Sequence, residues 1–572
     1  MLIVMLSYIY IFAICLLAGV IVRELLSRFI PVPEEGAIGI TGIVVTGIAA
    51  LTVYAGYFSI IYKVGALCHV LMLLLLGAGT YVYRKQVLEL VYGIIAKVRS
   101  KEGIACLIIV LISAFFTSRG QYHTDTGIYH AQTIRIYEEY GVIKGLGNFQ
   151  QHFAYNSLYL ALCALFTMSF ILPFALHTMT GFFMTLFTCY AVCGLMKWKE
   201  HRSHTADMAR LAIIIYSITS LVYLQSPATD YGTMYLVLYI MAAWIAHAVE
   251  QRDPDSDIPV LGFLSVLAIF TVSFKLSAAG IVLIAVLPFI LLVKKKMVKE
   301  TVSFLIIGFL SFLPYLIRNV IISGWLFYPV GAIDIFNVVW KVPEAYMWED
   351  SARIKIWGRC LDVFTNLDYE TRLDFPLARW YPVWWSAKTL YEKILIMLQL
   401  AGGAAALFNV AVRVIRKKIR PEVALFYITI VINIFMWFFT APFIRYGLAF
   451  LMLLPLCACA DAAENVFKNK RVAGLVVILA AFICFGNWTA HYLKVDVKTL
   501  ASTAGDGYYV APIPFEDAKT DEVDMNGVTV YNSAGEEVNS YYYCPNSCYM
   551  DMINRTELIG STIKEGFKPK FK

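Results

Sequence analysis

Long apolar runs recur along the whole chain, and they constrain its fold more than any other feature. A run of about 20 apolar residues is what an α-helix needs to cross the hydrocarbon core of a bilayer. Of the 572 residues, 60% are hydrophobic and 15% are charged, whereas soluble domains are near half apolar with about a quarter charged. We therefore expect an all-α polytopic membrane protein with about 14 transmembrane helices.

The predicted spans lie at 3–22, 37–57, 64–83, 103–118, 174–196, 207–225, 231–249, 258–274, 277–293, 301–317, 390–412, 423–441, 446–460 and 472–492. Basic clusters such as KKKMVK at 294–299 occupy short loops, and the positive-inside rule places these loops in the cytoplasm. Both termini are then extracytoplasmic, and we expect a bacterial plasma membrane. The segment 155–171 is apolar enough to span, but the charge rule favours an interfacial position.

The same topology divides the chain into six regions. We predict N-terminal transmembrane helices at 1–118, an extracytoplasmic catalytic loop at 119–173, a transmembrane core at 174–317, a large extracytoplasmic loop at 318–389, C-terminal transmembrane helices at 390–492 and an extracytoplasmic tail at 493–572. The first loop is expected to carry two interfacial helices, at about 127–140 and 155–170. In the tail, Asn526-Gly527 between two β-prone runs is a hairpin signal, so we expect a small β-containing module.

Ionisable residues crowd into the first loop, directly after a predicted span. The loop contains His123, Asp125, His130 and Arg135. Charged groups at a bilayer edge are costly to desolvate, so they indicate a functional site, with Asp125 as the leading candidate for a catalytic base. An ordinary solvated loop is the competing interpretation.

Four further charged residues fall at the predicted outer ends of other spans: Asp230, Lys275, Arg318 and Arg445. Their position on one face predicts a single outward-facing cavity. Lys275, Arg318 and Arg445 suit a phosphate, because arginine offers a bidentate fork and lysine a point charge. The secondary candidates for substrate binding are His123, His130, Arg135 and Asp230. Snorkelling at the headgroup level is the competing interpretation for Lys275 and Arg445.

The large loop holds seven of the chain's eleven tryptophans, together with several carboxylates. Aromatic rings with carboxylates suit a carbohydrate, because a sugar ring stacks on aromatic rings and its hydroxyl groups donate hydrogen bonds to carboxylates. An aromatic belt at the headgroup level is the alternative. Trp340, Trp348 and Trp357 lie in the middle of the loop, which favours a substrate or lid role.

Charge, metal and thiol patterns narrow the function further. The net charge of +7 reflects topology and anionic lipid headgroups, and no basic-aromatic stripe indicates nucleic acid. A divalent metal ion would have His123 and Asp125 as ligands, which are too few to define a site, so metal dependence stays open. Cys544 and Cys548 are a disulfide candidate if the tail is exported. Walker, GxGxxG, HExxH and GxSxG motifs are absent from the sequence, which argues against the enzyme classes they mark.

The first loop also resembles that of a known superfamily. HTDTGIYHAQTIRIYEEYG followed by NSLYLALCALF is similar to the acidic, tyrosine-containing first loop and juxtamembrane helix of the GT-C membrane glycosyltransferases. RNVIISGWLFYP, APFIRYG and the Gly566-Phe567 dipeptide resemble segments of an uncharacterised group of bacterial multi-span proteins. The GT-C resemblance implies inverting transfer of a sugar from a polyprenyl-phosphate donor to an extracytoplasmic glycan, lipid or protein, with Asp125 as the base.

Other functions remain open at this level. A surface-polysaccharide polymerase or ligase would use arginine or histidine in the large loop and would not need Asp125. A lipid-linked glycan transporter or flippase would carry charges in mid-span and paired inverted repeats, and the charges here lie at one face. A receptor role would depend on the tail alone.

Overall fold

The computed structural model describes residues 1–201, 203–250, 257–417, 420–467, 469–514, 519–533 and 544–570. Most of these residues are helical. The N-terminal helices are α1 (Leu2–Leu26), α2 (Glu35–Ile61), α3 (Ala66–Val82), α4 (Arg84–Lys97) and α5 (Lys101–Arg119). The first polar segment contains a π-helix (Thr126–His130), α6 (Ala131–Glu139), α7 (Leu146–Phe149), a 3-10 helix (Gln151–Ala154) and α8 (Leu158–Phe166).

The middle and C-terminal parts continue this pattern. The next helices are α9 (Met179–Leu195), α10 (Thr205–Ser220), a 3-10 turn (Leu221–Tyr223), α11 (Thr229–Glu250), α12 (Asp257–Val272), a 3-10 segment (Leu276–Ala285), α13 (Val286–Lys294) and α14 (Val298–Ser323). The large loop contains α15 (Glu344–Gly358), a 3-10 turn (Leu361–Val363), α16 (Tyr369–Leu373) and α17 (Leu377–Ser386). The last long helices are α18 (Leu390–Ile415), α19 (Pro421–Thr440), α20 (Ile444–Val466) and α21 (Lys470–Thr503).

Many of these helices are long and apolar enough to cross a membrane, which indicates an integral membrane protein. Within the described ranges eleven single helices meet that criterion, and α3 with α4, bent by 94°, makes up to twelve. The apolar helices α9 and α12 are shorter, at 17 and 16 residues, or roughly 25 Å against a hydrocarbon core of about 30 Å. Each predicted span coincides with an apolar helix, but the predicted number of fourteen crossings is not confirmed.

Helices α1 and α2 pack in close backbone contact. At Gly19 of α1 an added Cβ would lie 1.9 Å from the carbonyl oxygen of Ile43, and at Gly47 of α2 it would lie 1.8 Å from that of Cys15. Glycine at these positions therefore lets the two backbones touch, as small residues do in membrane helix pairs. Helices α10, α11 and α20 are the most enclosed of the long helices, so the bundle holds α11 and α20, which bring Asp230 and Arg445 to the site.

Helix α8 differs from its prediction. All nine of its residues are buried, and it packs against α2 and α6. Its length of about 14 Å is too short to cross the hydrocarbon core. The interfacial position predicted for 155–170 is wrong in this respect, because the helix is enclosed by protein instead of lying on the surface.

The ends of several segments meet at one face of the bundle. Leu2 N–H donates to the Tyr509 carbonyl at 2.8 Å, and Ile513 N–H donates to the Ser118 carbonyl at 3.0 Å. The start of α1, the end of α5 and the beginning of the tail therefore lie together, next to the polar segment that follows α5. That this face is extracytoplasmic stays a prediction.

The tail contains a small strand region, as its composition predicted. Its elements are β1 (Asp521–Met525), β2 (Val528–Asn532), β3 (Asn546–Ser547), α22 (Met550–Asn554), β4 (Thr556–Leu558), a 3-10 turn (Ile563–Glu565) and β5 (Phe567–Pro569). Strands β1 and β2 form an antiparallel hairpin, β3 pairs parallel to β2, and β4 pairs antiparallel to β5. Asn526 and Gly527 both have positive φ, as the two central residues of a tight hairpin turn require.

Candidate functional site

Ionisable side chains from four separate segments meet at the face where α5 ends. They are His123 and Asp125 from the loop after α5, Asp230 from the start of α11, Lys275 from the turn after α12 and Arg445 from the start of α20. We call these five residues the charged cluster. The sequence predicted that Asp125, Asp230, Lys275 and Arg445 would lie at one face together with Arg318, and the structure brings these four into contact with His123.

Arg445 is the centre of the charged cluster. Its Nη2 donates a 2.9 Å hydrogen bond to Asp125 Oδ2, and its Nε lies 3.7 Å from Asp230 Oδ2. Its Nη1 contacts the His123 ring. One guanidinium therefore links the first loop to α11 through two carboxylates.

Lys275 completes the opposite side of the charged cluster. Its ammonium group forms an ion pair with Asp230 and lies 3.9 Å from the centroid of the Tyr446 ring. The Tyr446 hydroxyl in turn accepts a 3.2 Å hydrogen bond from Arg445 Nη2. Tyr446 thus contacts both cations and fixes their separation.

The break between α19 and α20 holds Arg445 in place. Pro442 interrupts the helix there, and a broken helix leaves backbone carbonyls that need donors. Trp384 Nε1 donates to the Pro442 carbonyl at 3.1 Å, and Trp437 Nε1 donates to the Phe443 carbonyl at 2.6 Å. Two indoles therefore satisfy the irregular backbone from which Arg445 projects.

The electrostatics of the cluster favour an ionised Asp125. Burial is the largest single influence and raises the pKa of this carboxyl, but Arg445, His123, His130 and Lys275 together outweigh it, and the pKa falls to about 2. The pKa of His123 is also lowered, by burial and then by Arg445, so its ring is neutral near pH 7. The side chains of Arg445, Asp125 and Lys275 keep 34%, 22% and 22% of their surface exposed. Two cations and one carboxylate are thus within reach of a ligand.

Arg318 does not belong to the cluster, contrary to the prediction that it binds phosphate. It is fully buried, its Nε donates to Asn156 Oδ1 at 3.0 Å, and Nη1 contacts the Ser59 hydroxyl. Its guanidinium lies 4.3 Å from the centroid of the Tyr137 ring. Arg318 therefore joins α14 to the first polar segment and is closed to a ligand.

Arg135 and His130, two secondary candidates for substrate binding, lie in different surroundings. Arg135 Nε donates to Glu139 Oε1 at 2.7 Å along α6. Arg135 is therefore paired with a carboxylate that is not part of the cluster. His130 lies at the end of the π-helix that follows Asp125 and is 1% exposed. Burial lowers the pKa of His130 to about 3, and Asp125 opposes this shift. The His130 ring is therefore a neutral neighbour of the cluster.

A metal ion on His123 and Asp125 does not fit this geometry. The Arg445 guanidinium contacts both residues, and a second cation there would be repelled. In the described part of the chain, the group of three close ligands is His201, Asp207 and Glu250, toward the other end of α11. Arg210 donates to Asp207 at 3.0 Å and to Glu250 at 2.8 Å, so a cation already neutralises that group.

Cys544 and Cys548 are not bonded, although the sequence made them a disulfide candidate. All twelve cysteines, each within the described ranges, have free thiols. The extended residues Asn546 and Ser547 of β3 separate the two, and Cys548 Sγ instead lies 3.1 Å from the Ser533 hydroxyl.

The large loop combines buried and exposed tryptophans. Trp325, Trp380 and Trp384 are buried, whereas Trp348 and Trp357 on α15 are 44% and 47% exposed. The exposed pair fits the predicted surface for a ligand or a membrane. Among the buried ones, Trp380 and Trp384 pack against Phe438 of α19 and join the loop to the bundle.

Sequence reasoning missed several aromatic residues around the cluster. Tyr446 was detectable, because it follows Arg445 directly in APFIRYG. Tyr129 and His152 stack on each other with ring centroids 5.3 Å apart. Asp350 of α15 is buried and accepts a 3.2 Å hydrogen bond from the Tyr328 hydroxyl, and burial raises its pKa. No motif in the sequence marks these contacts between loops.

Comparison with known proteins gives one family. A family model described as "Domain of unknown function (DUF8201)" matches residues 1–452, which include all five residues of the charged cluster and exclude the tail. No curated protein matches the chain. No solved structure matches it either.

Proposed function

This chain belongs to the DUF8201 family, and we propose that it is a membrane glycosyltransferase of inverting, GT-C-like type. It would transfer a sugar from a polyprenyl-phosphate donor to a glycan, lipid or protein acceptor at the extracytoplasmic face of a bacterial plasma membrane. The observation that carries the proposal is the contact between Arg445 and Asp125, with Lys275 beside them. An ionised carboxylate and two cations share a partly exposed position at one end of an apolar bundle.

The cations suit the donor. A polyprenyl phosphate has an apolar chain for the bilayer and an anionic group at its edge, where Arg445 and Lys275 lie. Arginine binds phosphate oxygens through two parallel N–H groups, and lysine adds a point charge. Both cations are now paired with carboxylates, so the phosphate would compete with Asp125 and Asp230 for them.

This competition bears on the role of Asp125. While Arg445 donates to it, its low pKa makes it a weak base. A phosphate that draws Arg445 away would weaken this ion pair and raise the basicity of Asp125 when the donor is bound. Burial, which raises the pKa, would then be less strongly opposed.

The reaction follows from these positions. The acceptor hydroxyl oxygen forms a bond to the anomeric carbon of the sugar as the bond from that carbon to the phosphate oxygen breaks. The bonding electron pair leaves with the phosphate, whose negative charge Arg445 and Lys275 stabilise. The hydroxyl proton passes to Asp125. Attack from the face opposite the leaving phosphate inverts the anomeric configuration.

Turnover of radiolabelled polyprenyl-phosphate sugars tests the proposal. Purified wild type, Asp125→Asn and the control Glu139→Gln would be compared with a panel of donors and acceptors. Glu139 is an exposed carboxylate of the same polar segment and pairs with Arg135 along α6. We expect turnover in wild type and in the control, and a loss of about 100-fold or more in Asp125→Asn.

The other outcomes separate the alternatives. Equal turnover in wild type and Asp125→Asn would contradict a base at Asp125 and favour a polysaccharide polymerase or ligase. No turnover by wild type across the panel would contradict the transferase itself and make transport of lipid-linked glycans the next hypothesis to measure.

A further inference from the structure

Four rings form a continuous row beside the charged cluster, which we call the ring stack: His130 is tilted by 45° against Tyr129, and the next two pairs are stacked. The His130 and Tyr129 ring centroids are 4.1 Å apart, those of Tyr129 and His152 are 5.3 Å apart, and those of His152 and Tyr549 are 5.7 Å apart. The ring stack begins within the π-helix that follows Asp125, which contains Tyr129 and His130, and ends in the tail. It therefore joins the first polar segment to the C-terminal module.

Two histidines in this stack contain unpaired ring nitrogens. Within the described residues, neither Nδ1 nor Nε2 of His130 has a hydrogen-bond partner, and Nδ1 of His152 has none. His130 is 1% exposed. Buried polar atoms are nearly always paired, and an unpaired one destabilises the fold. Three such atoms in neighbouring rings indicate a role other than packing.

The charge state of these rings limits what they can bind. Burial lowers the pKa of both histidines, that of His130 to about 3. A neutral imidazole offers one N–H donor and one nitrogen acceptor. It has no charge for an anion, and an apolar ligand would leave its nitrogens unpaired. A hydroxyl group, which both donates and accepts, matches it.

The backbone places this stack against the reacting groups. Residues Thr126–His130 form a π-helix immediately after Asp125, and such wide turns occur frequently at functional sites. Asp125, Asp230 and Lys275 all act electrostatically on His130. A sugar bonded to a phosphate on Arg445 and Lys275 is one bond away from that phosphate, so it would lie in this region.

We propose that Tyr129, His130 and His152 form the subsite for the sugar ring of the donor. The sugar face would pack on the aromatic rings, and its hydroxyl groups would bond the imidazole nitrogens. This inference rests on the proposed function and deepens it, because it assigns recognition of the sugar to neutral rings and recognition of the phosphate to the two cations.

Binding of two kinds of carrier tests this division. The probes are undecaprenyl phosphate and undecaprenyl-phosphate hexoses, namely the mannose and glucose forms, titrated into the full chain in lipid nanodiscs. We expect wild type to bind at least one hexose form about tenfold more tightly than the bare carrier. In His130→Phe and His152→Phe this tenfold preference should disappear, since about one or two hydrogen bonds are lost. Binding of bare undecaprenyl phosphate should be unchanged.

Thermal unfolding without ligand supplies an independent readout. His69 is a matched control, because it is also buried but both its nitrogens have partners, Tyr10 and the Leu165 carbonyl. His69→Phe should lower the melting temperature, whereas His130→Phe should leave it unchanged or raise it. His130→Leu repeats the measurement with a smaller side chain, in case phenylalanine does not fit.

Each contrary result has a definite meaning. If wild type binds the bare carrier but gains nothing from either hexose, or if His130→Phe keeps the preference, the subsite is overturned and the phosphate site stands. If His130→Phe and His130→Leu both destabilise the protein as much as His69→Phe does, the nitrogens are structurally paired and the subsite is again overturned. If no carrier binds wild type, the proposed function fails and the subsite fails with it.

Discussion

Arg445 donates a 2.9 Å hydrogen bond to Asp125, a residue 320 positions earlier in the chain. The contact joins the first polar segment to the start of α20. Because Asp230 lies on the other side of the same guanidinium, Arg445 orients two carboxylates at once. The geometry of the charged cluster therefore depends on this one side chain more than on any other.

The first prediction concerns Arg445→Gln and pH. In wild type the Asp125 pKa is about 2, against a usual value of 3.8, so its ionised form stabilises the fold above about pH 4. That contribution, about 2 kcal/mol, is lost as pH falls from 4 toward 2. Without the guanidinium, burial dominates and raises the pKa, so protonation of Asp125 should stabilise the variant as pH falls. Unfolding midpoints of wild type and Arg445→Gln, measured between pH 2 and 7, test these opposite pH dependences.

A neutral-pH comparison accompanies the first prediction. Arg445→Gln leaves Asp125 poorly compensated, and we expect a loss of about 3 kcal/mol in the free energy of unfolding at pH 7. Arg135→Gln is the control, because it breaks the i,i+4 pair with Glu139 in α6 and leaves the contact between Arg445 and Asp125 intact. It should change stability much less than Arg445→Gln does. Parallel pH profiles for wild type and Arg445→Gln would contradict the assigned coupling.

The second prediction separates Arg318 from substrate binding. Arg318 is fully buried against Asn156, Ser59 and Tyr137. Arg318→Ala should lose about 3 kcal/mol in the free energy of unfolding, through unpaired partners and a cavity. Arg318→Met keeps most of the volume without the charge, so it should recover much of that loss.

Carrier binding completes the test of Arg318. Undecaprenyl phosphate should bind Arg318→Met as tightly as wild type, whereas Lys275→Met should weaken its binding about tenfold or more. A folded Arg318→Met protein with weakened carrier binding would restore Arg318 as a phosphate ligand.

Arg445 and Arg318 show how much of the site could be predicted from the sequence. Asp125, Asp230, Lys275 and Arg445 each adjoin an apolar helix, and alternating topology assigns them to one face. Sequence position gives the depth of a residue along a helix, but not the direction in which its side chain points. Arg318 has a similar predicted depth and turns toward Tyr137.

Prediction of the fold from the sequence has the same limit, because it does not show what surrounds a helix. Apolar runs identified the long helices, because length and hydropathy suffice for that. They could not reveal that α8 is enclosed by protein, since protein and lipid are equally apolar surroundings. Contacts between irregular segments, such as Tyr129 with His152, depend on tertiary packing and have no local signal.

The third prediction concerns the tail cysteines. Cys544 and Cys548 are free and contact different neighbours, so a reductant should leave the melting temperature unchanged. Peptide mass mapping under non-reducing conditions, with rapid alkylation, should find both thiols separately alkylated. A peptide lighter by two hydrogens and carrying no alkyl group would show that the disulfide forms after all.

The fourth prediction concerns docking of the tail on the first polar segment. Phe567 is fully buried, its ring lies 4.9 Å from that of Phe149, and its N–H donates to the Lys144 carbonyl at 2.9 Å. Phe567→Ala should remove about 3 kcal/mol of packing. Because the hydrogen bonds of a docked segment exchange when it opens, amide exchange should accelerate at 144–152 and in β5.

The control for this docking is the neighbouring residue in β5. Lys568 is half-buried and pairs with Glu557 across the two strands at 3.1 Å. Lys568→Ala removes this partly exposed pair but no core side chain, so it should change exchange little. Since Tyr549 of the tail stacks on His152, loosening the tail in Phe567→Ala should also reduce the preference for sugar-bearing carriers. Faster exchange at 144–152 with an unchanged preference would mean that the tail docks on the polar segment without supporting the ring stack.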